Sequence, residues 1–259
     1  MTRSAMLESA ASDSIANSAF DGAERRFPRV VLFDIDGTLI NAVRRREYRT
    51  RIRKMLEAIF GTCGRIGEVD FAGKTDLAIY REALECEGIT QDRITLQIPV
   101  IEEAMHEILI SMAAEGPVFE VCAGVQPLLD ALSADDRFKA SLLTGNFEKL
   151  AEVKLRQVDV WKYFRLRGAF GSDAFERDHL PEIAATRFRE HLMEHVSPDR
   201  FIIVGDTPRD IACARFFGAR VLAVGSGRHT ADELSAFSPD AVLKDLSDTS
   251  RVIDLLARI

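Results

Sequence analysis

The sequence predicts an α/β fold in which a mostly parallel sheet is covered by helices on both faces. Three observations support it. Short apolar runs, beginning with Val30–Phe33, end at polar residues or glycines. From Val121 onward such runs alternate with stretches of helical periodicity. A long helical segment with no convincing strand separates the first run from the others. Alternation of strands and helices implies right-handed crossovers between parallel strands.

The first apolar run is β-branched and aromatic, which is typical of a buried parallel strand. It is followed by Asp34-Ile35-Asp36-Gly37-Thr38. Side chains two positions apart on a strand point the same way, so Asp34 and Asp36 are predicted to face one site. Two like charges repel when they are buried, and a divalent cation with oxygen ligands relieves that repulsion. An ordinary Asp-Gly turn is the alternative interpretation.

The segment from Asn41 to about Glu120 predicts three helices and no strand. The first has the apolar face Tyr48, Ile52, Met55, Leu56 and Ile59. The second is capped by Thr75 and runs to about Glu87, and the third spans Pro99 to Ala114. Other positions of the first helix carry Arg44, Arg45, Arg46, Arg49, Arg51 and Arg53. These arginines fit either a solvated helix face or a positive rim that attracts an anionic substrate.

The remaining chain predicts the alternating elements of the sheet. Strands are expected at Ala140–Leu143, Leu166–Phe170, Phe201–Val204, Arg220–Val224 and Ala241–Leu243. Helices are expected at Gly124–Leu132, Phe147–Val158, Leu180–His195, Pro208–Phe217 and Ser247–Ile259. Two strand ends carry further polar groups, Thr144-Gly145-Asn146 and Gly205-Asp206-Thr207-Pro208-Arg209-Asp210. A hydroxyl and backbone amides near a helix start suit a phosphate group.

Composition narrows the class of protein. A formal net charge of −7 argues against a general nucleic-acid binder and suits the handling of small molecules. The four cysteines are scattered, which is neither a zinc pattern nor a disulfide framework. No apolar run approaches the roughly 20 residues that span a bilayer. Residues 1–28 predict a flexible tail without the apolar segment of a signal peptide. The expectation is a cytoplasmic protein without membrane or nucleic-acid partners.

The three polar motifs, in this order and spacing, resemble the haloacid dehalogenase-like superfamily of phosphohydrolases. The resemblance covers nearly the whole chain after residue 28. It implies a Rossmann-like core of residues 29–40 and 121–259 and a mobile helical cap of residues 41–120, as in phosphoglycolate phosphatases and β-phosphoglucomutases. The implied activity is Mg²⁺-dependent hydrolysis of a small phosphorylated metabolite, of the phosphoglycolate or sugar phosphate type, through an aspartyl-phosphate.

The resemblance also implies a role for each motif residue. Asp34 would be the nucleophile, and Asp36 would protonate the leaving alkoxide and then activate water. The implied phosphate-binding residues are Thr144, Gly145 and Asn146. The implied metal ligands are Asp34, the backbone carbonyl of Asp36, Asp206 and, through water or by orienting the others, Asp210. An exposed acid in the first turn of a helix is the alternative interpretation of Asp210.

One departure from the superfamily pattern concerns its basic catalytic residue. The position ahead of the helix that precedes the third motif, commonly a lysine, holds Arg177 here. The nearest suitable lysine is Lys154, which is favoured over Arg177 as the catalytic cation. An ordinary surface lysine is the alternative for Lys154. Lys74 is a candidate specificity residue, with a surface lysine as the simpler interpretation.

Other activities on the same fold stay open. A phosphomutase would use the same two acids, Asp34 and Asp36, and pass the phosphoryl group between sugar hydroxyls. A phosphonatase would need a Schiff-base lysine from the insert, where Lys54 and Lys74 are the lysines. A catalytically silent scaffold is the alternative from another class, although nucleophile, acid and metal carboxylate are all present.

Overall fold

The structure is a computed structural model that describes residues 28–193 and 196–259. The strands are β1 (Arg29–Phe33), β2 (Ile40–Ala42), β3 (Phe119–Val121), β4 (Phe138–Leu142), β5 (Phe201–Gly205), β6 (Arg220–Val224) and β7 (Ala241–Leu243). The helices are α1 (Arg45–Phe60), α2 (Asp76–Leu84), α3 (Gln91–Leu96), α4 (Ile98–Ala114), α5 (Val125–Ser133), α6 (Glu148–Gln157), α7 (Leu180–Leu192), α8 (Pro208–Phe217), α9 (Ala231–Ser235) and α10 (Thr249–Arg258).

Five strands form one sheet in the order β4-β1-β5-β6-β7, and every neighbouring pair is parallel. Alternate residues of the central strand β1 pack into two separate cores. Val31 and Phe33 lie in one core, whereas Val30 and Leu32 lie in the other. All four are fully buried, as expected of a strand covered on both faces. The predicted α/β fold is confirmed.

Helices α1 to α4, called the helical insert below, lie between β2 and β3. These two strands pair antiparallel as a separate ribbon, so the insert leaves and rejoins the sheet at one place. The sequence analysis missed both strands because three residues are too few to show an alternating pattern. It also missed the six-residue helix α3. The predicted cap of α2 is confirmed, since the Thr75 hydroxyl accepts the Ala78 amide at 3.1 Å.

Two further predictions need correction, and one short helix was not predicted. The strand predicted at Leu166–Phe170 is wrong, because this segment makes a single bridge, between Ala169 and Leu143. The short helix α9 was missed. Helix α7 ends at Leu192 rather than at His195, and residues 194–195 lie outside the described part of the chain. Of the predicted tail, residues 1–27 also lie outside it. Among the described residues, no helix has both the length and the apolar character needed to cross a bilayer.

Candidate active site

The polar strand ends meet at one edge of the sheet. In the register of the sheet, Phe33 at the end of β1 is level with Leu142 of β4 and Val204 of β5. The residues that follow therefore emerge together. The Asp34 amide donates to the Val204 carbonyl at 2.9 Å, which continues the ladder by one residue. The carboxyl ends of parallel strands are where open α/β sheets bind ligands.

Every residue that the sequence analysis placed in the site, except Asp210, lines one cavity. These residues are Asp34, Asp36, Thr144, Gly145, Asn146, Lys154, Arg177 and Asp206. The cavity has a volume of about 180 Å³. Asp34 and Asp36 thus face one site, as predicted. Asp210 lies directly behind this lining.

Asp34, Asp206 and Asp210 form a buried carboxylate cluster. One oxygen from each lies within 4.8 Å of the others. Asp210 has no exposed surface and accepts hydrogen bonds from the Thr207 amide at 3.0 Å and the Thr207 hydroxyl at 2.6 Å. That reciprocal cap at the start of α8 holds the carboxylate in place. The alternative interpretation of Asp210 as an exposed helix acid is wrong.

The carboxylate cluster carries more negative charge than its surroundings offset. Burial, followed by repulsion from Asp34 and Asp210, raises the pKa of Asp206 to about 8. Burial also raises the pKa of Asp34 to about 6, although the neighbouring Arg177 acts in the opposite direction. Raised carboxyl pKa values of this kind arise where like charges share a buried site. A divalent cation with oxygen ligands would offset the excess.

Arg177 is the cation that contacts this cluster. Its Nη2 lies 2.5 Å from an Asp210 oxygen and 3.2 Å from an Asp34 oxygen. It also donates to the Leu143 carbonyl at 3.3 Å. Burial disfavours the charged guanidinium, but Asp210 and Asp34 more than compensate and raise the pKa of Arg177 well above its ordinary value. Arg177 therefore carries a fixed positive charge beside the Asp34 carboxylate.

Lys154 is buried and pairs with Asp36 rather than with the carboxylate cluster. Its Nζ lies 2.7 and 2.9 Å from the two Asp36 oxygens and 2.6 Å from Asn146 Oδ1. The rings of Tyr48 and Phe119 lie 5.6 and 5.5 Å from the ammonium. Burial lowers the pKa of Lys154, but the Asp36 charge outweighs it and leaves a net increase. The interpretation of Lys154 as a surface lysine is wrong.

The loop after β4 holds Thr144 and Asn146 in a fixed arrangement. Asn146 Nδ2 donates to Asp36 Oδ2 at 2.7 Å and to the Thr144 hydroxyl at 2.8 Å. The Thr144 hydroxyl also accepts the Asn146 amide at 3.3 Å. A hydroxyl that accepts in this way keeps its own proton for a ligand oxygen. The loop thus presents a donor beside Asp36.

The helical insert contacts the sheet edge directly above this loop. The Asp76 amide donates to the Gly145 carbonyl at 2.7 Å, and the Asp76 carboxylate accepts the Phe147 amide at 3.0 Å. Gly145 has no room for a side chain, because a Cβ there would lie 2.0 Å from the Lys74 carbonyl oxygen. Lys74 itself lines the cavity and pairs with Glu82. The insert therefore lines the side of the cavity that faces the sheet edge.

Sequence reasoning missed two residues that hold the insert to the core. Asp76 was overlooked because an acid after a helix cap is explained by the cap alone. Asp70 pairs with Arg228 at 2.6 Å across the boundary, 158 positions along the chain. Nothing in the sequence around Asp70 or Arg228 indicates that the two residues pair. Of the arginines at the start of the insert, Arg45 and Arg49 line the cavity, whereas the others do not.

Comparisons with known proteins agree with this geometry. A family model described as HAD-hydrolase-like matches residues 179–249. Phosphoglycolate phosphatase 1 of Pseudomonas aeruginosa is 26% identical over 239 residues, which cover 90% of this chain and 83% of that protein. The phosphoglycolate phosphatase of Pseudomonas putida is 27% identical over 220 residues, covering 85% and 77%.

A solved structure has the same fold. A haloacid dehalogenase-like family hydrolase from Streptococcus pneumoniae superposes with a TM-score of 0.55 at 16% identity. The superposition covers 88% of this chain and 97% of that one. It includes the insert as well as the sheet, because the shared part is nearly the whole of both chains.

We predict that Asp76 makes stability depend on pH. Burial raises the pKa of Asp76 to about 6 from its ordinary value of 3.8. An acid of this kind stabilises the fold below its ordinary pKa, and the contribution is lost as pH rises through about 6. Asp76→Asn cannot ionise and keeps an oxygen for the Phe147 amide. Its unfolding free energy, relative to wild type, should therefore rise between about pH 4 and pH 7 in urea titrations.

Asp254→Asn, an exposed acid on α10, is the matched control and should track wild type at every pH. A difference between Asp76→Asn and wild type that stays constant with pH would contradict the prediction.

Proposed function

The chain belongs to the haloacid dehalogenase-like superfamily, and from that premise we propose that it is a Mg²⁺-dependent phosphatase of small phosphomonoesters. One observation carries the proposal. A buried Asp34 lies in a carboxylate cluster beside Arg177, and Asp36 lines the same cavity, held by Lys154 and Asn146. Nucleophile, acid and cation are thus placed around one small space.

The similarity to phosphoglycolate phosphatases supports a substrate of that type. The cavity volume of about 180 Å³ favours a small metabolite. Phosphoglycolate or a small sugar phosphate is the substrate class that we propose.

The carboxylate cluster has the donor chemistry that Mg²⁺ requires. All its ligand atoms are oxygens, and burial, followed by the charges of Asp34 and Asp210, raises the pKa of Asp206 to about 8. Asp34, Asp206 and the backbone carbonyl of Asp36 would hold the ion, with Asp210 orienting the ligands. When bound, Mg²⁺ would offset the charge of the phosphoryl group and of Asp34.

The chain's own residues then perform two half-reactions. In the first, an Asp34 oxygen attacks phosphorus, the bond from phosphorus to the alkoxide oxygen breaks, and Asp36 gives the alkoxide its proton. In the second, Asp36 takes a proton from water as the water oxygen attacks phosphorus. Inorganic phosphate leaves and the Asp34 carboxylate is restored. Thr144 and the Gly145 amide would hold the phosphoryl oxygens, and Asn146 would keep Thr144 and Asp36 in place.

The two buried cations would act on different acids. Arg177 would favour ionised Asp34, the form that attacks phosphorus. Lys154 would hold the Asp36 carboxylate towards the leaving group. The sequence analysis weighed Lys154 against Arg177 as the one catalytic cation. We propose instead that both act, because each contacts one of the two catalytic acids.

Residues 41–120, which contain the helical insert, would serve as a cap over a core of residues 29–40 and 121–259. Its contacts with the core are both apolar and polar. The Tyr80 and Phe147 rings pack edge to face, whereas Asp76 and Asp70 bond to Gly145 and Arg228. The β2–β3 ribbon is its covalent attachment. Opening would admit substrate and closure would exclude water. The cytosol stays the predicted compartment.

We predict Mg²⁺-dependent phosphate release from phosphoglycolate or from p-nitrophenyl phosphate. Asp34→Asn should lower kcat by at least about a thousandfold, because the amide is a poor nucleophile. Asp232→Asn, an exposed acid on α9, should keep the wild-type rate. The readout is inorganic phosphate, with EDTA as the metal-free arm.

Two other outcomes would redirect the proposal. Isomerisation of a sugar phosphate without phosphate release would favour a phosphomutase. Absence of activity across a broad panel of phosphomonoesters would favour a scaffold.

A second prediction separates the two cations. Lys154→Ala should reduce kcat by about 10²–10⁴-fold, because Asp36 loses its positioning partner and acid–base help of that size depends on it. Arg177→Ala should reduce kcat and also lower the unfolding free energy by about 3–5 kcal/mol, because it leaves Asp34 and Asp210 buried without a cation. Kinetics and urea unfolding provide the two readouts. Near-native turnover in both variants would remove both residues from the mechanism.

A further inference from the structure

Helix α1 presents two arginines to the active-site cavity. Arg45 and Arg49 line it, and both are exposed. Among the described residues, neither has a carboxylate partner. Their neighbours on α1 differ. Arg44, at the start of the helix, and Arg51 pair with Glu47 and Glu115, and Arg53 pairs with Glu57. The solvated helix face and the positive rim thus coexist on one helix.

The other cations that line the cavity already have acidic partners. Their pairs are Lys74 with Glu82, Lys154 with Asp36, Arg177 with Asp34, and Arg228 with Asp70. Within the described chain, positive charge at the cavity that no acid offsets is therefore confined to Arg45 and Arg49. An uncompensated pair of this kind in a chain of net charge −7 marks a place where an anion is favoured.

Arg49 is also held in position. Its guanidinium carbon lies 4.4 Å from the centre of the Phe71 ring, which itself lines the cavity. A cation–π contact of this kind occupies the face of the ring and uses none of the guanidinium N–H groups as hydrogen-bond donors to an acid. Two such N–H groups match the two oxygens of a carboxylate.

The position of the arginines relative to the catalytic acids fits a substrate with two charged ends. Asp34, Thr144 and Asp206 occupy the sheet edge, where the phosphate would bind. The cavity between them and α1 is small, and Tyr48 and Ile52 of α1 add aromatic and aliphatic lining. A substrate bound by its phosphate would direct its other end towards the insert.

We propose that Arg45 and Arg49 determine specificity by binding a second anionic group, joined to the phosphate by a short carbon link. The substrate is then a phosphomonoester that also carries a carboxylate or a second phosphate, rather than a neutral sugar phosphate. This inference rests on the proposed phosphatase function and deepens it. The shared chemistry is an oxyanion that a guanidinium recognises.

Three esters test the proposal: phosphoglycolate, ethane-1,2-diol bisphosphate, and the uncharged-end analogue 2-hydroxyethyl phosphate. Wild type should hydrolyse an ester with a second anion with a kcat/KM about 10–100-fold above that for 2-hydroxyethyl phosphate. Arg45→Gln and Arg49→Gln should each raise KM for the preferred ester about tenfold or more with little change in kcat. Their KM for 2-hydroxyethyl phosphate should stay near wild type.

Arg53→Gln is the matched control, since it removes a cation of the same helix that does not line the cavity. It should leave all three esters unaffected. The preferred anionic ester identifies the group as carboxylate or phosphate. Mg²⁺-dependent hydrolysis of all three esters with equal kcat/KM would overturn the inference and leave the proposed function intact. So would an equal loss on all esters in the Arg45 and Arg49 variants. No hydrolysis of any ester would overturn the proposed function and this inference with it.

Discussion

Repulsion among three buried carboxylates is the constraint on which the rest of this site depends. Asp34, Asp206 and Asp210 lie within 4.8 Å of one another, and Arg177 is the cation beside them. Burying such charges costs several kcal/mol each unless opposite charge is near. An added cation with oxygen ligands would lower this cost, which is the basis of the proposed metal site. The same buried carboxylates that form the proposed site therefore also lower the stability of the fold locally.

The fold meets this constraint with backbone geometry. Central strand β1 brings Asp34 between the ends of β4 and β5, and glycines allow the close approach of the acids. A Cβ at Gly37 or Gly227 would lie 2.3 or 1.8 Å from an Asp206 oxygen, and one at Gly205 would lie 2.1 Å from the Asp210 carboxyl carbon. Any larger residue would push the carboxylates out of the cluster.

The sequence predicted what is local and repetitive. The apolar strands, most helices and the convergence of Asp34, Thr144 and Asp206 follow from periodicity and from the shared edge of parallel strands. It could not assign Lys154 a partner, because Asp36 is 118 positions away. The segment at 166–170 has strand-like composition but makes one bridge, because backbone pairing depends on a neighbour that composition does not specify. Contacts between the insert and the core are long-range for the same reason.

Calorimetric titration of the metal-free protein with Mg²⁺ tests most directly whether the carboxylate cluster is a metal site. Wild type should bind one Mg²⁺. Asp206→Asn should bind it at least about tenfold more weakly, since it loses a charged ligand. Asp240→Asn, which lies outside the cluster and pairs with Arg215 and Arg220, should bind as wild type does. Equal Mg²⁺ affinity in wild type and Asp206→Asn, or none in wild type, would contradict a metal site built from these carboxylates.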